Sequence, residues 1–272
     1  MRRWWLPAAV LLSVAPPADV LAQAASNYAA SYLHPSDVHD ARALWVNPAG
    51  LAVLREASVY AELVARDPGA QGRLRQLSLG FNARGLSFGY QRDIFDGGVR
   101  GHTYRLGLAG GAEGLSGGFA IARYGGGGGK GTGWDFGLTY AWRPTVSVAG
   151  VLANVGQPVV RGIQQRLAFV PGITWRPRGP TLAVSIDSRI TPDSVLGYAV
   201  GVSWQSSSRL PLGILARLDA DGDLRRTAFA FGVSIGGADR VGTVLQTPGD
   251  VSHLDAAGLY GLSTREPTVG RR

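Results

Sequence analysis

Trp134-Asp135-Phe136-Gly137-Leu138-Thr139-Tyr140-Ala141-Trp142-Arg143 decides the fold. Large apolar side chains occupy every second position, and the positions between hold Asp135, Gly137, Thr139, Ala141 and Arg143. A period of two is the pattern of a β-strand with one apolar face. A soluble sandwich alternates too, but its second face meets bulk water. Here the second face is small residues with an occasional charge, which suits a crowded or wet lumen with the apolar face turned to lipid.

Working outward, the alternation recurs along the chain, as in Leu77, Leu79 and Phe81 against Ser78, Gly80 and Asn82. Segments bounded by turn residues fall near 58–66, 75–82, 85–93, 102–110, 115–124, 133–142, 145–153, 165–175, 181–190, 196–205, 210–218, 225–235, 240–247 and 254–264. Their number is even and their lengths match the ~9 to 11 residues that cross a bilayer when tilted. The expected fold is all-β: one closed antiparallel transmembrane barrel of about 14 strands behind a short N-terminal plug segment. Leu77, Phe88, Leu106, Phe136, Leu138, Phe169, Val200, Ile214 and Phe231 are expected to face lipid. Arg105, Asp135, Arg143, Arg176, Asp187, Arg189 and Arg217 are expected in the lumen as a charge network, since an unpaired charge in a crowded interior is costly. Arg143 and Arg176, close to strand ends, are read more readily as rim residues in solvent.

Turn lengths give an orientation. From a periplasmic N-terminus, the turns at 82–85, 110–114, 143–145, 176–180, 206–209 and 236–239 are periplasmic. Those at 67–74, 94–101, 125–132, 154–164, 191–195, 219–224 and 248–253 are outer loops. The second set is longer on average, as in outer-membrane barrels.

Composition supports this reading. Forty glycines with 17% charged residues make the chain too glycine-rich and charge-poor for an ordinary soluble enzyme. A mean hydropathy near zero is far below that of a helical membrane protein. The net charge of +8 comes from arginines scattered singly, Lys130 being the only lysine. A basic face for nucleic acid is therefore not expected, whereas outer-membrane lipid and lipopolysaccharide phosphates suit scattered basic rims. With no cysteine there are no disulfides, thiolate metal sites, cysteine nucleophiles or lipoprotein anchor.

Residues 1–24 read as a signal peptide: Arg2 and Arg3, an apolar run from Trp4 to Val14, then Ala22 and Ala24. A plug segment over 25–57, a barrel over 58–264 and a tail over 265–272 follow. His34 and His39 read as solvated loop histidines, since no third metal ligand follows at a useful spacing. Gly125 to Thr132 lacks the order of a phosphate-binding loop and reads as an outer loop. Asp219 to Asp223 lacks the distal glutamate of a calcium loop and reads as a hairpin turn. The four histidines all read as lying outside the strand cores, and no catalytic constellation, cofactor site or metal site is found; no enzyme is expected.

Between leader and barrel stands Ala43-Leu44-Trp45-Val46-Asn47-Pro48-Ala49-Gly50-Leu51-Ala52. Small residues and an Asn-Pro turn make it a compact segment able to lie close to other backbone. It resembles the Asn-Pro-Ala-Gly-Leu-Ala signature at the start of FadL-type outer-membrane transporters and related PorV/PorQ-type barrels. Gly150 to Gly156, Leu167 to Pro177 and Thr181 to Asp187 resemble the mid-barrel pattern of the PorV/PorQ type. The resemblance implies the bacterial outer membrane, with Asn47, Pro48, Ala49, Gly50, Leu51 and Ala52 as the plug. It implies a passive channel for small hydrophobic molecules. The alternative is a non-transporting scaffold for a secretion system or for a periplasmic S49-type peptidase, because compact barrels of this kind are similar to modules that precede some S49 proteins. Two features depart from the longer FadL-type transporters: the outer loops are too short for a hydrophobic capture site, and the C-terminus lacks the terminal aromatic of an assembly signal.

Overall fold

The computed structural model describes residues 30–54, 56–66 and 72–265. The signal-peptide reading and the tail beyond Arg265 fall outside the described residues. A short helix, α1 (Ala43–Val46), and a 3₁₀ turn (Pro48–Ala52) precede the strands. These are β1 (Ala57–Arg66), β2 (Arg73–Ala83), β3 (Leu86–Ile94), β4 (Arg100–Ala112), β5 (Leu115–Gly126), β6 (Gly129–Arg143) and β7 (Val146–Val155). A small hairpin, β8 (Val159–Val160) and β9 (Ile163–Gln164), leads on to β10 (Ala168–Trp175), β11 (Leu182–Ile190), β12 (Val195–Gln205) and β13 (Leu212–Asp221). β14 (Arg226–Gly236), β15 (Asp239–Pro248) and β16 (Ala256–Arg265) complete the chain.

Every strand except β8 and β9 pairs antiparallel with its neighbours in the wall, and β16 pairs back onto β1, with Leu259 opposite Leu63. The result is a closed barrel of 14 strands, which leaves no sheet edge exposed to lipid. Closure also gives the apolar face its place. Phe88, Leu106, Phe136, Leu138, Phe169, Val200, Ile214 and Phe231 are exposed on the outside, and Leu77 lies half-buried on the same face. Trp142, Trp175 and Trp204 ring one end of this band, and Tyr104, Trp134 and Tyr198 ring the other. Trp134 and Trp142 bracket one apolar run of β6; eight residues at ~3.4 Å each, tilted by ~40°, give about 20 Å, close to the height of a lipid-facing band. Aromatic rings at both interfaces are what a membrane-crossing barrel presents.

Tight turns sit at the end where β1 begins. Arg84-Gly85 and Glu113-Gly114 both have positive φ at their two central residues, the geometry that suits the twist of a two-residue hairpin. The connections at the other end are longer on average. That asymmetry makes the first end periplasmic.

Several loop readings change. Only Gly127 and Gly128 separate β5 from β6, so most of 125–132 is strand rather than loop. The loop expected at 154–164 holds the β8–β9 hairpin, turned on Arg161 and Gly162, both with positive φ. It folds over the outer mouth. Val160 packs on Ala122 and Tyr124, and Arg161 donates to Asp93 of β3 at 2.8 Å. His102 lies within β4, beside the Tyr90 hydroxyl at 2.8 Å, and not outside the strands.

Candidate functional site: a plugged lumen

Residues 30–51 are buried or half-buried inside the barrel. Asn47 organises them: its Oδ1 accepts from the Ala49 amide at 3.1 Å, and its Nδ2 donates to the Pro35 carbonyl and to Thr139 Oγ1 of β6, each at 2.8 Å. One side chain thus caps the 3₁₀ turn, ties it to the preceding segment and ties both to the wall. Pro48 at the first position of the turn needs no amide partner. Leu44 and Leu51 are 0% exposed.

The wall is shaped to receive this turn. A methyl group at Gly137 of β6 would collide with Asn47 Oδ1 and lie 2.9 Å from the Ala49 nitrogen; one at Gly107 of β4 would lie 2.5 Å from Leu44 Cδ1 and 3.0 Å from Leu51 Cδ1. Gly89 and Gly118 face the plug in the same way. The glycines of these inner faces therefore make room for another backbone. Gly137→Leu would overfill the seat, a kind of change that costs about 1–3 kcal/mol. The plug should then leave its seat while the barrel remains. Tryptic cleavage at Arg42, now 6% exposed, is expected to accelerate in the intact barrel, and unchanged protection would show that the glycine is not the seat.

A second set of contacts pins residues 33–42. His34 Nδ1 lies 2.5 Å from Asp187 Oδ2 of β11, and Arg217 of β13 donates to the Leu33 carbonyl at 2.7 Å. The Ser36 hydroxyl pairs with Thr174 Oγ1 at 2.8 Å. Arg176 donates to Asp37 at 2.5 Å and to Ser147 Oγ at 3.0 Å. Asp40 and Arg42 form a buried bidentate pair, with the Arg42 guanidinium 5.2 Å from the Tyr260 ring centre. Burial acts to raise the Asp40 carboxyl, but the Arg42 charge and hydrogen bonds outweigh it and hold Asp40 below its usual value. Burial pushes the His39 imidazole down, so His39 is neutral where the plug is seated at neutral pH. His34 and His39 are thus plug residues packed against the wall, not solvated loop residues. The reason is that each finds its partner on the wall, Asp187 for His34 and Arg176 for His39, which the polar sequence of 30–42 does not show.

The expected lumenal charges separate into two groups. Arg105 pairs with Asp135, whose other oxygen accepts the Asn154 amide at 2.7 Å. Asp187 and Arg189 of β11 and Arg217 of β13, two strands away, face inward, with Arg217 also held by Asp219 at 2.9 Å. Arg176 is turned into the periplasmic mouth, not out to solvent. Arg143 is not lumenal: it is exposed at the β6–β7 turn, its guanidinium 5.2 Å from the Trp142 ring centre. Placed one residue before Pro144, it lies past the last inward position that the wall supplies.

Above the plug, on the outer side, a cavity of about 560 Å³ remains. Tyr32, Leu33, Trp45, Tyr124, Val151 and Val170 supply its apolar lining, and the charged residues just described supply the rest. Such a volume is that of a small-molecule site. The lumen is filled in its periplasmic half and open in its outer half. Among the described residues no group of acidic or histidine side chains is arranged to hold a metal.

No protein-family model and no curated protein sequence matches the chain. Its fold has solved counterparts. The CymD monoaromatic hydrocarbon channel superposes with a TM-score of 0.55 at 12% identity, over 87% of this chain and 94% of that one. What the two share is the fold, a closed antiparallel β-barrel. The Ralstonia pickettii toluene transporter TbuX superposes with a TM-score of 0.53 at 12% identity, over 85% of this chain and 97% of that one. At this identity the likeness is one of architecture.

Proposed function

We propose that this barrel is a passive outer-membrane channel for small hydrophobic molecules, closed at rest by its N-terminal plug. The observation that carries the reading is the cavity over the seated plug. Its apolar patches adjoin a wall that receives the plug on glycines, so the plug can leave without leaving a ragged lumen. The two structural counterparts named for hydrocarbon and toluene transport support it as analogues of fold. A scaffold would need no cavity of this kind.

The test is uptake. A Gram-negative host expressing the barrel should take up radiolabelled toluene faster than the same host with an empty vector, in proportion to the heat-modifiable, assembled protein. Equal uptake with abundant assembled barrel would remove the channel reading and leave the scaffold for a secretion or peptidase partner.

A further inference from the structure

The charges around the cavity are not evenly satisfied. Arg66 holds Asp255 with both carboxylate oxygens at 3.0 Å. Arg105 is neutralised by Asp135, and Arg217 by Asp219 with Asp187 at 3.5 Å. Asp187 also takes His34. The carboxylate of Asp221, at the cavity edge, accepts the amides of Asp223 and Arg225 in its own turn. Every aspartate lining the cavity therefore has a partner. Arg189 of β11 does not: its guanidinium makes no hydrogen bond or ion pair with any described residue, and its Nε is buried. It feels the field of Asp187 two residues earlier, but that carboxylate is already shared by His34 and Arg217.

A guanidinium with five donors and no acceptor, at the wall of a cavity that also presents Trp45, Tyr32 and Tyr124, is an unfilled half of an ion pair beside aromatic surface. We propose that the cavity takes small aromatic carboxylates, with the carboxylate on Arg189 and the ring against the aromatic and aliphatic lining. The inference rests on the channel reading and narrows its substrate class. The size is consistent, because the plug closes the cavity below and a volume of about 560 Å³ suits a compact ring compound better than a long chain. The preference for an anion comes from the fork of Arg189 alone and not from net charge, because the five aspartates of the lining outnumber its other three arginines.

The experiment compares benzoate, benzamide and toluene on the full-length barrel in detergent by calorimetry, with toluene uptake by expressing cells as a parallel arm. Benzoate should bind the intact protein at least about tenfold more tightly than its neutral isostere benzamide, because a charge-assisted bidentate pair outweighs a neutral contact. Arg189→Met should abolish that preference, and Arg189→Lys should retain part of it, while both variants keep heat-modifiable mobility. Toluene uptake by cells expressing the intact barrel reads the channel itself, apart from the acid preference. Equal binding of benzoate and benzamide to the intact protein would overturn the proposal without any variant. So would a benzoate affinity that Arg189→Met leaves unchanged. If toluene is still taken up in those cases, the channel reading survives and only the acid preference falls; if neither compound binds and toluene uptake is absent, both fall.

Discussion

A barrel lacking Ala43 to Ala52 is expected to conduct far more ions in planar bilayers than the intact chain, while its heat-resistant mobility on gels stays the same. The deleted residues hold Leu44 and Leu51, both fully buried, and the three hydrogen bonds of the Asn47 amide. Burial of each leucine is worth about 1.5–3 kcal/mol, and each hydrogen bond about 0.5–1.5 kcal/mol net. A seat of this strength keeps the unseated fraction of the intact protein small, so removing it should raise conductance by at least about tenfold. The wall loses little, because the ladder from β1 to β16 closes without any plug residue. Removing the plug leaves Gly89, Gly107, Gly118 and Gly137 facing water, which glycine tolerates. Conductance that stays low in a correctly assembled deletion would mean that residues 30–42 alone close the lumen. A deletion that fails to assemble would make the segment a folding element and remove the gate from the channel reading.

The parts of this molecule that the sequence made legible are those governed by a short repeat. Alternation along Trp134 to Arg143 reports one strand with two different faces, and each such segment has a strand in the wall. The 43–52 stretch was legible because small residues and Asn-Pro leave few conformations. Residues 30–42 fall in the expected plug segment, but their contacts are not legible, since a plug inside a wet lumen has no period and uses the same Ser, His, Asp and Arg as a solvated loop. What distinguishes them is the partner on the wall, such as Thr174 for Ser36 or Asp187 for His34, and partners more than a hundred residues away leave no local trace. The β8–β9 hairpin did leave one, in Val159-Val160-Arg161-Gly162-Ile163-Gln164, where Arg161-Gly162 stands between the apolar pair Val159-Val160 and Ile163. It reads as part of a loop because each of its strands is two residues long. The isolation of Arg189 lay beyond sequence reading altogether, because it depends on which arginines claim the nearby aspartates.

Leu138→Arg is expected to cost about 2–4 kcal/mol of folding stability in phospholipid vesicles, the penalty for arginine on the lipid face near the bilayer midplane. Leu138 is 53% exposed on the outer face of β6, midway between Trp134 and Trp142, and its neighbours across the two ladders are Gly117 and Gly150. Those glycines offer an arginine stem no side chain to follow, and the nearer girdle is four residues away along the strand, so snorkelling to the interface is difficult. Leu86 provides the comparison. It has the same exposure, 53%, but stands at the first position of β3 beside the periplasmic turn, where the same substitution should cost only about 0–1 kcal/mol. Guanidinium titrations of both variants, refolded into vesicles under identical conditions, give the difference directly. Equal costs at the two positions would mean that the aromatic rings do not mark the membrane boundaries, and a negligible cost at both would mean that the apolar belt meets something other than lipid.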